Sequence, residues 1–272
     1  MSLTIQVVSD LHAEFWSNKK RFNFIKPSAN ILALLGDTCC VGSDEDFSTF
    51  QRFVNELIPS YEHIIIVAGN HEYYFNPSKA NAHPNKNNTL DACDKKINEY
   101  CKTNPKLHYL NNNSMKIKVK NKTYLLVGSV LWSWIPTDQR ENIQSRMNDY
   151  RFIYVKDKSA IRHIRADDIS NMYLKNKKYI KSQIIRAKKQ NMKVVVFTHH
   201  KPYLSPTHDP TSYDSAYESD LSDLFGSPIV LWCYGHTHIK DNTKIKGVQF
   251  ISNPKGYPRQ QTRYKRAFTI QL

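Results

Sequence analysis

The sequence has 272 residues with 40% hydrophobic content, enough to bury a substantial core, and its formal charge of +15 at pH 7 favours anionic ligands. It shows neither a basic amino-terminal segment before a long apolar stretch nor an apolar run of the roughly 18 residues that cross a membrane. We therefore expect a soluble protein with no signal peptide and no membrane partner. We take residues 1–272 as one domain.

The cysteines indicate a reducing environment. There are five of them, an odd number, and none has the CxxC spacing of a zinc or redox site. We therefore expect no disulfides and a cytoplasmic location. The residues are Cys39, Cys40, Cys93, Cys101 and Cys233.

Five short runs rich in Ile, Leu and Val each end in polar residues that can bind a metal ion. Because these runs do not alternate with polar residues, they are typical of strands covered on both faces. In chain order they are Thr4 to Val8 before Asp10 and His12, Ile31 to Leu35 before Asp37, Ile64 to Ala68 before Asn70 and His71, Val194 to Phe197 before His199 and His200, and Ile229 to Tyr234 before His236 and His238.

Helices are predicted between these strands, over Asp44 to Leu57, Thr89 to Thr103 and about Asp167 to Gln190. Strands that alternate with helices indicate an α/β sandwich. A second group of strands is predicted to pair antiparallel in places, because short polar turns join close neighbours. These strands are Met115 to Val119, Thr123 to Val127, Thr243 to Lys246, Val248 to Ser252 and Ala267 to Gln271.

Three other segments bear on ligand binding. Residues 76–88 and 202–214 are predicted loops that follow strands of the site and are placed to cover a pocket. Residues 151–193 hold much of the basic excess. That excess is compatible with nucleic-acid binding, but charged residues usually form the solvated face of a helix, and we favour this interpretation.

The polar ends of the five strands predict one site. In open α/β sheets, ligands gather beyond the carboxyl ends of the strands. Carboxylate, imidazole and amide ligands suit hard to borderline divalent metals such as Mn²⁺, Fe²⁺ or Zn²⁺, and the absence of cysteine among them argues against a structural zinc site.

These residues resemble a known pattern. In order, they match the five motifs of the calcineurin-like metallophosphoesterase superfamily, from residue 5 to about residue 256. The resemblance implies a single-domain α/β fold, an α/β/β/α layered sandwich of two mixed sheets flanked by helices, with a dinuclear metal site at the carboxyl ends of strands. The motifs are Asp10-Leu11-His12, Gly36-Asp37, Gly69-Asn70-His71, His199 and Gly235-His236-Thr237-His238.

The resemblance also implies roles for these residues. One divalent ion (Mn, Fe, Zn or Ni) would be held by Asp10, His12 and His238, a second by Asn70, His199 and His236, with Asp37 bridging the two. Such a pair of ions would activate a hydroxide for in-line displacement. His71 would assist as the general acid that protonates the leaving oxygen.

Further strings resemble an uncharacterised bacterial-type branch of phosphohydrolases, which supplies no substrate. They are Gly128 to Trp132, Met147-Asn148-Asp149, Ala216 to Leu221 and Asn253 to Tyr257.

Two features of the motifs leave questions open. Many superfamily members continue the second motif as Gly-Asp-x-x-Asp, whereas here Cys40 stands at the position of the later carboxylate. The bridge rests on Asp37 and survives, but the charge behind the ligands is open. His200 follows a candidate ligand, and facing the phosphate or supporting its neighbour are both compatible with its position.

We expect metal-dependent hydrolysis of phosphoester bonds. The substrate is expected to be a phosphorylated small molecule or nucleotide, and a phosphodiester or a nucleotide is favoured. The aromatic segments 73–75 and 132–134 are candidates for a pocket, although packing in the core is favoured.

The alternative function is that of a metal-dependent nuclease on single-stranded DNA or RNA. A non-catalytic scaffold is disfavoured because all seven ligand positions and His71 are present. Oligomeric state has no clear signal.

Overall fold

Two β-sheets pack face to face and carry helices on their outer sides in the computed structural model, which describes residues 2–16 and 22–272. The strands are β1 (Thr4–Val8), β2 (Ile31–Leu35), β3 (His63–Val67), β4 (Leu107–Tyr109), β5 (Asn113–Val119), β6 (Lys122–Ser129), β7 (Tyr154–Asp157), β8 (Ala160–His163), β9 (Lys193–Thr198), β10 (Ile229–Tyr234), β11 (Asp241–Ile245), β12 (Val248–Ser252) and β13 (Thr269–Gln271). The helices are α1 (Asp44–Leu57), α2 (Pro77–Ala80), α3 (Leu90–Lys102), α4 (Arg140–Arg146), α5 (Asp149–Phe152) and α6 (Ala166–Lys189).

Both large sheets are mixed. The first has the order β13-β1-β2-β3-β4, in which only β13 runs antiparallel to its neighbour. The second has the order β11-β12-β10-β9-β6-β5, with a parallel centre and antiparallel edge strands β11 and β5. Strands β7 and β8 form a separate hairpin. The predicted α/β sandwich of two mixed sheets is confirmed.

Each central strand buries both of its faces, but in different layers. In β2, Ile31, Ala33 and Leu35 pack between the sheets against residues such as Phe197 of the second sheet. Leu32 and Leu34 point the other way, into the layer under the helices. This alternation follows from the two-residue period of a strand, and burial on both sides explains why the strand sequences are continuously apolar.

Local sequence signals set the helix ends. Ser43 caps α1 by accepting a hydrogen bond from the backbone N–H of Asp46, and three acidic residues fill the first turn. Helix α6 packs on β6 and β9 and carries the basic residues of the 166–189 region mostly on its exposed side. The solvated helix face expected for most of that charge is what the described residues display.

The predicted long helices and the five site strands are confirmed, and each of their ends lies within one residue of the prediction. The 76–88 loop contains the single-turn helix α2, which Asn76 caps and Pro77 begins. Strand β13 starts two residues later than predicted. The sequence did not indicate β4, β7 or β8, because they are only three or four residues long and β7 and β8 are largely polar. Across the described residues, no helix has the length and apolarity needed to span a membrane.

Candidate metal centre

Five strands from the two sheets end at a common edge and deliver polar side chains to one place. Strands β1, β2 and β3 supply residues from the first sheet, and β9 and β10 from the second. Hydrogen bonds join the two sets directly: the backbone N–H of His236 donates to Asp10 Oδ1 at 3.0 Å. Likewise, His199 Nδ1 lies 2.9 Å from the carbonyl oxygen of Leu35. The site is therefore assembled across the inter-sheet boundary.

Five of the residues at these strand ends have a left-handed backbone. Non-glycine residues avoid positive φ because of steric clash, and clusters of such residues are typical of functional sites. Here they follow β1, β2 and β10, where the chain turns sharply beside the site. The residues are Asp10 (φ 54°), His12 (49°), Asp37 (52°), His236 (66°) and His238 (52°).

A first cluster of ligand atoms is formed by Asp10, His12, Asp37 and His238, whose ligand atoms all lie within 4.8 Å of one another. Nε2 of His12 and Nε2 of His238 are 3.3 Å apart. The same nitrogen of His238 lies 3.3 Å from Asp10 Oδ1. Two imidazole nitrogens and two carboxylates thus face a common point.

A second cluster contains Asp37, His199 and His236. Asn70 joins it, because Asn70 Oδ1 lies 3.1 Å from His199 Nε2. The two oxygens of Asp37 divide between the clusters: Oδ1 lies 3.3 Å from His199 Nε2, and Oδ2 lies 3.9 Å from His12 Nε2. The structure therefore brings all seven predicted ligand residues together around Asp37.

The hydrogen bonds and burial of the histidine ring nitrogens suit these residues to bind cations. His238 Nδ1 is engaged by Gln260 Oε1 at 2.7 Å and His199 Nδ1 by the Leu35 carbonyl, so each ring turns Nε2 to the cluster. Nε2 of His236 is buried, and none of the described residues forms a hydrogen bond with it. Burial lowers the pKa of His236 well below its usual value, which keeps the imidazole in the neutral, ligating form. An orphaned buried nitrogen of this kind fits a bound cation.

His71 lies beside the clusters and is almost fully buried. Its backbone N–H donates to Asp37 Oδ1 at 2.9 Å, and its Nε2 lies 3.1 Å from the hydroxyl of Tyr257. Its ring stacks on Tyr74 with centroids 4.2 Å apart. Burial opposes its charged form, but the carboxylates of Asp37 and Glu14 outweigh it and raise the pKa of His71 to about 9.

Comparison with known proteins identifies the family. Residues 3–240 match the family model described as calcineurin-like phosphoesterase. The chain belongs to this family. It is a metallophosphoesterase, an enzyme of metal-dependent phosphoester hydrolysis, and its family is typically dependent on two metal ions. Membership of this family favours an enzyme over the non-catalytic scaffold.

Similar proteins cover nearly the whole calcineurin-like chain. The uncharacterized protein L509 of Acanthamoeba polyphaga mimivirus is 29% identical over 283 residues, covering 96% of this chain and 93% of that protein. The phosphopantetheinyl hydrolase PptH of Mycobacterium tuberculosis shares the fold with a TM-score of 0.66 at 18% identity, covering 100% and 96% of the two chains. A putative 5'-nucleotidase from Staphylococcus aureus has a TM-score of 0.51 at 15% identity, covering 93% and 48%.

A cleft of about 380 Å³ opens over the clusters of this phosphoesterase. Such a volume is at the lower end of the range for small-molecule sites. Its wall is rich in tyrosine and contains one arginine. The lining residues are Asp37, Asn70, His71, Tyr74, Arg146, Met147, Asn148, Tyr217, His236, Thr237, His238, Tyr257 and Gln260.

Glu14 is a buried carboxylate that the sequence patterns did not indicate. Its Oε1 lies 3.1 Å from Nδ1 of His12 and 3.2 Å from Nδ1 of His71. Burial works against ionisation, but the hydrogen bonds to these two imidazoles lower the pKa of Glu14 to about 2. A carboxylate is thus present behind the ligands, although Cys40 replaces the one in the second motif. The only signal was its position two residues after His12.

Glu72 was not predicted either, although it directly follows His71. Its carboxylate accepts hydrogen bonds from the backbone N–H groups of Asp37 (2.8 Å), Thr38 (2.7 Å) and Gly69 (2.6 Å). It therefore ties the end of β2 to the end of β3. Burial and the charge of Asp37 raise the pKa of Glu72 to about 7.

Asp149 fixes the amide of Asn70. Asp149 Oδ1 accepts from Asn70 Nδ2 at 2.8 Å and from the Tyr74 hydroxyl at 2.5 Å. Because the amide nitrogen is engaged there, the amide oxygen faces His199 and the second cluster. The string Met147-Asn148-Asp149, which the sequence marked by resemblance alone, thus has a geometric function.

Replacing Asp149 with alanine is expected to free the Asn70 amide to rotate and to weaken metal binding by about 10- to 100-fold, the usual effect of removing a partner behind a ligand. Metal titration of the purified protein, followed by calorimetry, measures this change. Asp138→Ala, in a surface turn, is the control. Unchanged affinity for both ions would show that Asp149 does not hold the ligand.

The structure also answers two open questions from the sequence. His200 lies behind His236, with ring centroids 4.1 Å apart, and does not line the cleft, which agrees with a supporting position. Burial lowers the pKa of His200 to about 3, so its ring is neutral. Of the aromatic segments, Tyr73, Phe75 and Trp132 are core residues, whereas Tyr74 lines the cleft.

Proposed function

We propose that this phosphoesterase binds two divalent cations through Asp10, His12, Asp37, Asn70, His199, His236 and His238, and that it hydrolyses a phosphodiester or nucleotide. The observation that carries the proposal is the division of the Asp37 oxygens between the two clusters. A carboxylate shared in this way is suited to bridge two ions.

The cations supply one part of the chemistry when bound, by lowering the pKa of a coordinated water and polarising phosphoryl oxygens. The chain supplies the rest. His71 presents Nε2 to the cleft, 4.0 Å from Asp37 Oδ2, where a leaving oxygen can reach it. Glu14 accepts a hydrogen bond from Nδ1 of the same ring. The protonated imidazole carries a second N–H on Nε2, which lies 3.1 Å from the Tyr257 hydroxyl and can be donated to a leaving oxygen in place of that hydroxyl.

Three tyrosines support a flat substrate group near the phosphate. Tyr74, Tyr217 and Tyr257 all line the cleft, and Tyr257 is 41% exposed. Phenol rings stack on bases and other planar groups, so a nucleotide is a suitable occupant. The compact cleft favours a small molecule over a nucleic-acid strand, because a strand requires a basic groove that extends away from the centre.

Residues 241–272 lie beyond the family match but contribute to the same unit. They add β11, β12 and β13 to the two sheets, and Tyr257 and Gln260 to the cleft. We therefore propose that residues 1–272 form a single metallophosphoesterase domain.

The five cysteines are buried free thiols, which supports a reducing, cytoplasmic setting.

The test combines metal analysis with a substrate panel. Protein stripped of metal is reloaded with Mn²⁺, Fe²⁺, Zn²⁺ or Ni²⁺, and two ions per chain are expected. Each form is assayed on monoesters, diesters, cyclic esters, nucleotides and short single-stranded oligonucleotides. Preferred turnover of diesters or nucleotides supports the proposal. Preferred cleavage of oligonucleotides, with a steep loss on adding salt, would replace it with the nuclease.

A further inference from the structure

Arg146 is a cation in the cleft that the hydrolytic chemistry does not use. It stands in the last turn of α4 and lines the same cavity as Asp37 and His71. Its Nε donates to Asn142 Oδ1 at 2.8 Å, one helical turn earlier. This bond holds the stem of the side chain and leaves the two terminal nitrogens of the guanidinium available.

No carboxylate within the described ranges forms an ion pair with Arg146. Arg140 and Arg162, by contrast, bind carboxylates: Arg140 binds Asp167, and Arg162 binds Asp157 and Asp168. An arginine left without a counter-ion at the wall of a cleft is available to an anionic ligand, for which its planar fork is well suited.

The charge of the metal centre indicates which anion this is. Two bound divalent cations would carry more positive charge than the carboxylates of Asp10 and Asp37 carry negative charge. They could therefore neutralise the phosphoryl group that is hydrolysed. A further cation in the same small cavity is suited to a further negative charge on the substrate.

The surroundings of Arg146 add hydrogen-bonding and stacking groups. Asn148 lines the same wall, is exposed, and its side-chain amide makes no hydrogen bond within the part of the chain that the structure describes. Between them, Met147 contacts the hydroxyl of Tyr217 at 3.6 Å, and Tyr217 in turn stacks on His236 with centroids 4.8 Å apart. The wall from Arg146 to the metal ligands is therefore continuous.

We propose that Arg146 and Asn148 bind a second phosphate group of the substrate, beside the one held at the metal centre. The preferred substrates are then small phosphate compounds with two neighbouring phosphates, such as nucleoside diphosphates and their derivatives. Hydrolysis would form a bond between the oxygen of water and the phosphorus at the metal centre, and would break the anhydride bond to the second phosphate, which leaves with the bridging oxygen. This inference rests on the proposed function, because it locates the first phosphate at the metal ions.

The test measures discrimination between one phosphate and two. Binding of adenosine monophosphate and adenosine diphosphate to the metal-loaded protein is measured by calorimetry, for the wild type, Arg146→Gln and Arg146→Lys. The matched control is Arg186→Gln, an exposed arginine of α6 whose Nη1 donates to the side-chain oxygen of Gln183. Turnover of a single-phosphate aryl ester and cleavage of a dinucleotide are measured on the same samples.

The wild type is expected to bind the diphosphate at least about 10-fold more tightly than the monophosphate, as a bidentate charge-assisted contact allows. Arg146→Gln is expected to reduce this preference by most of that factor, Arg146→Lys to restore part of it, and Arg186→Gln to leave it intact. Equal losses for both ligands would mean that Arg146 touches the first phosphate, and would overturn the inference.

Two other results would also overturn it. One is an active wild-type enzyme without preference for the diphosphate. The other is a dependence on Arg146 seen with the dinucleotide alone, which would assign the second phosphate to a nucleic-acid strand. Failure of the wild type to hydrolyse any ester would instead contradict the proposed function itself.

Discussion

Asp37→Asn is expected to lower kcat/KM by at least about 10³-fold, more than the roughly 10- to 100-fold typical of residues that only support a ligand. The amide keeps the shape of the side chain but loses the charge and one oxygen. Because the two oxygens of Asp37 face different clusters, both metal positions are affected at once. Metal content by mass spectrometry and steady-state kinetics at saturating metal measure the two effects.

The matched control for Asp37 is Asp91→Asn, an exposed aspartate in the first turn of α3. It should retain wild-type metal content and turnover. If Asp37→Asn instead kept two tightly bound ions per chain, its proposed bridging position would have to be abandoned. Circular dichroism of both variants separates loss of metal from loss of fold.

His71→Ala should show the opposite combination, with normal metal content and a large loss of turnover. A positioned general acid contributes about 10²- to 10⁴-fold to rate, and it matters most when the leaving group is a poor one. The expected loss is therefore of this size on an alkyl ester and much smaller on a nitrophenyl ester. His83→Ala, an exposed histidine in the 76–88 loop, serves as the control.

Glu14→Gln tests how His71 is held. The amide can no longer accept with a full negative charge from Nδ1 of His71, so the alkyl ester should again be affected more than the nitrophenyl ester. Equal losses on the two esters for His71→Ala would contradict proton donation. Equal losses for Glu14→Gln alone would mean that Glu14 acts through His12 and the metal ions.

Much of the fold followed from the sequence because each central strand is buried on both faces. Apolar runs such as Ile31–Leu35 have the length of a buried strand and are too short for a typical helix, and each ends in a polar residue at the expected edge of the sheet. For the same reason, the sequence predicted which residues would meet at the centre. Their convergence from both sheets is what the structure displays.

The residues behind the ligands could not be predicted in this way. Glu14 lies in a short 3-10 turn, and Asp149 comes from a helix of four residues far along the chain. Their contacts with His71 and Asn70 depend on how loops fold over the strand ends, which has no periodic signal. The sequence shows that Cys40 stands where many superfamily members have a carboxylate. It contains no sign that Glu14 places a carboxylate behind His12 and His71.

The division of the proposed ligands between two sheets would let bound cations link the two layers. Asp10, His12, Asp37 and Asn70 belong to one layer, and the three histidines after β9 and β10 belong to the other. Ions bound between them would resist separation of the two layers. An ion present at 100 times its Kd adds about 2.7 kcal/mol to the free energy of unfolding. Chelation should therefore destabilise the packing of the two sheets first at the edge that carries the metal centre. Metal supply would then determine the lifetime of the folded enzyme as well as its catalytic rate.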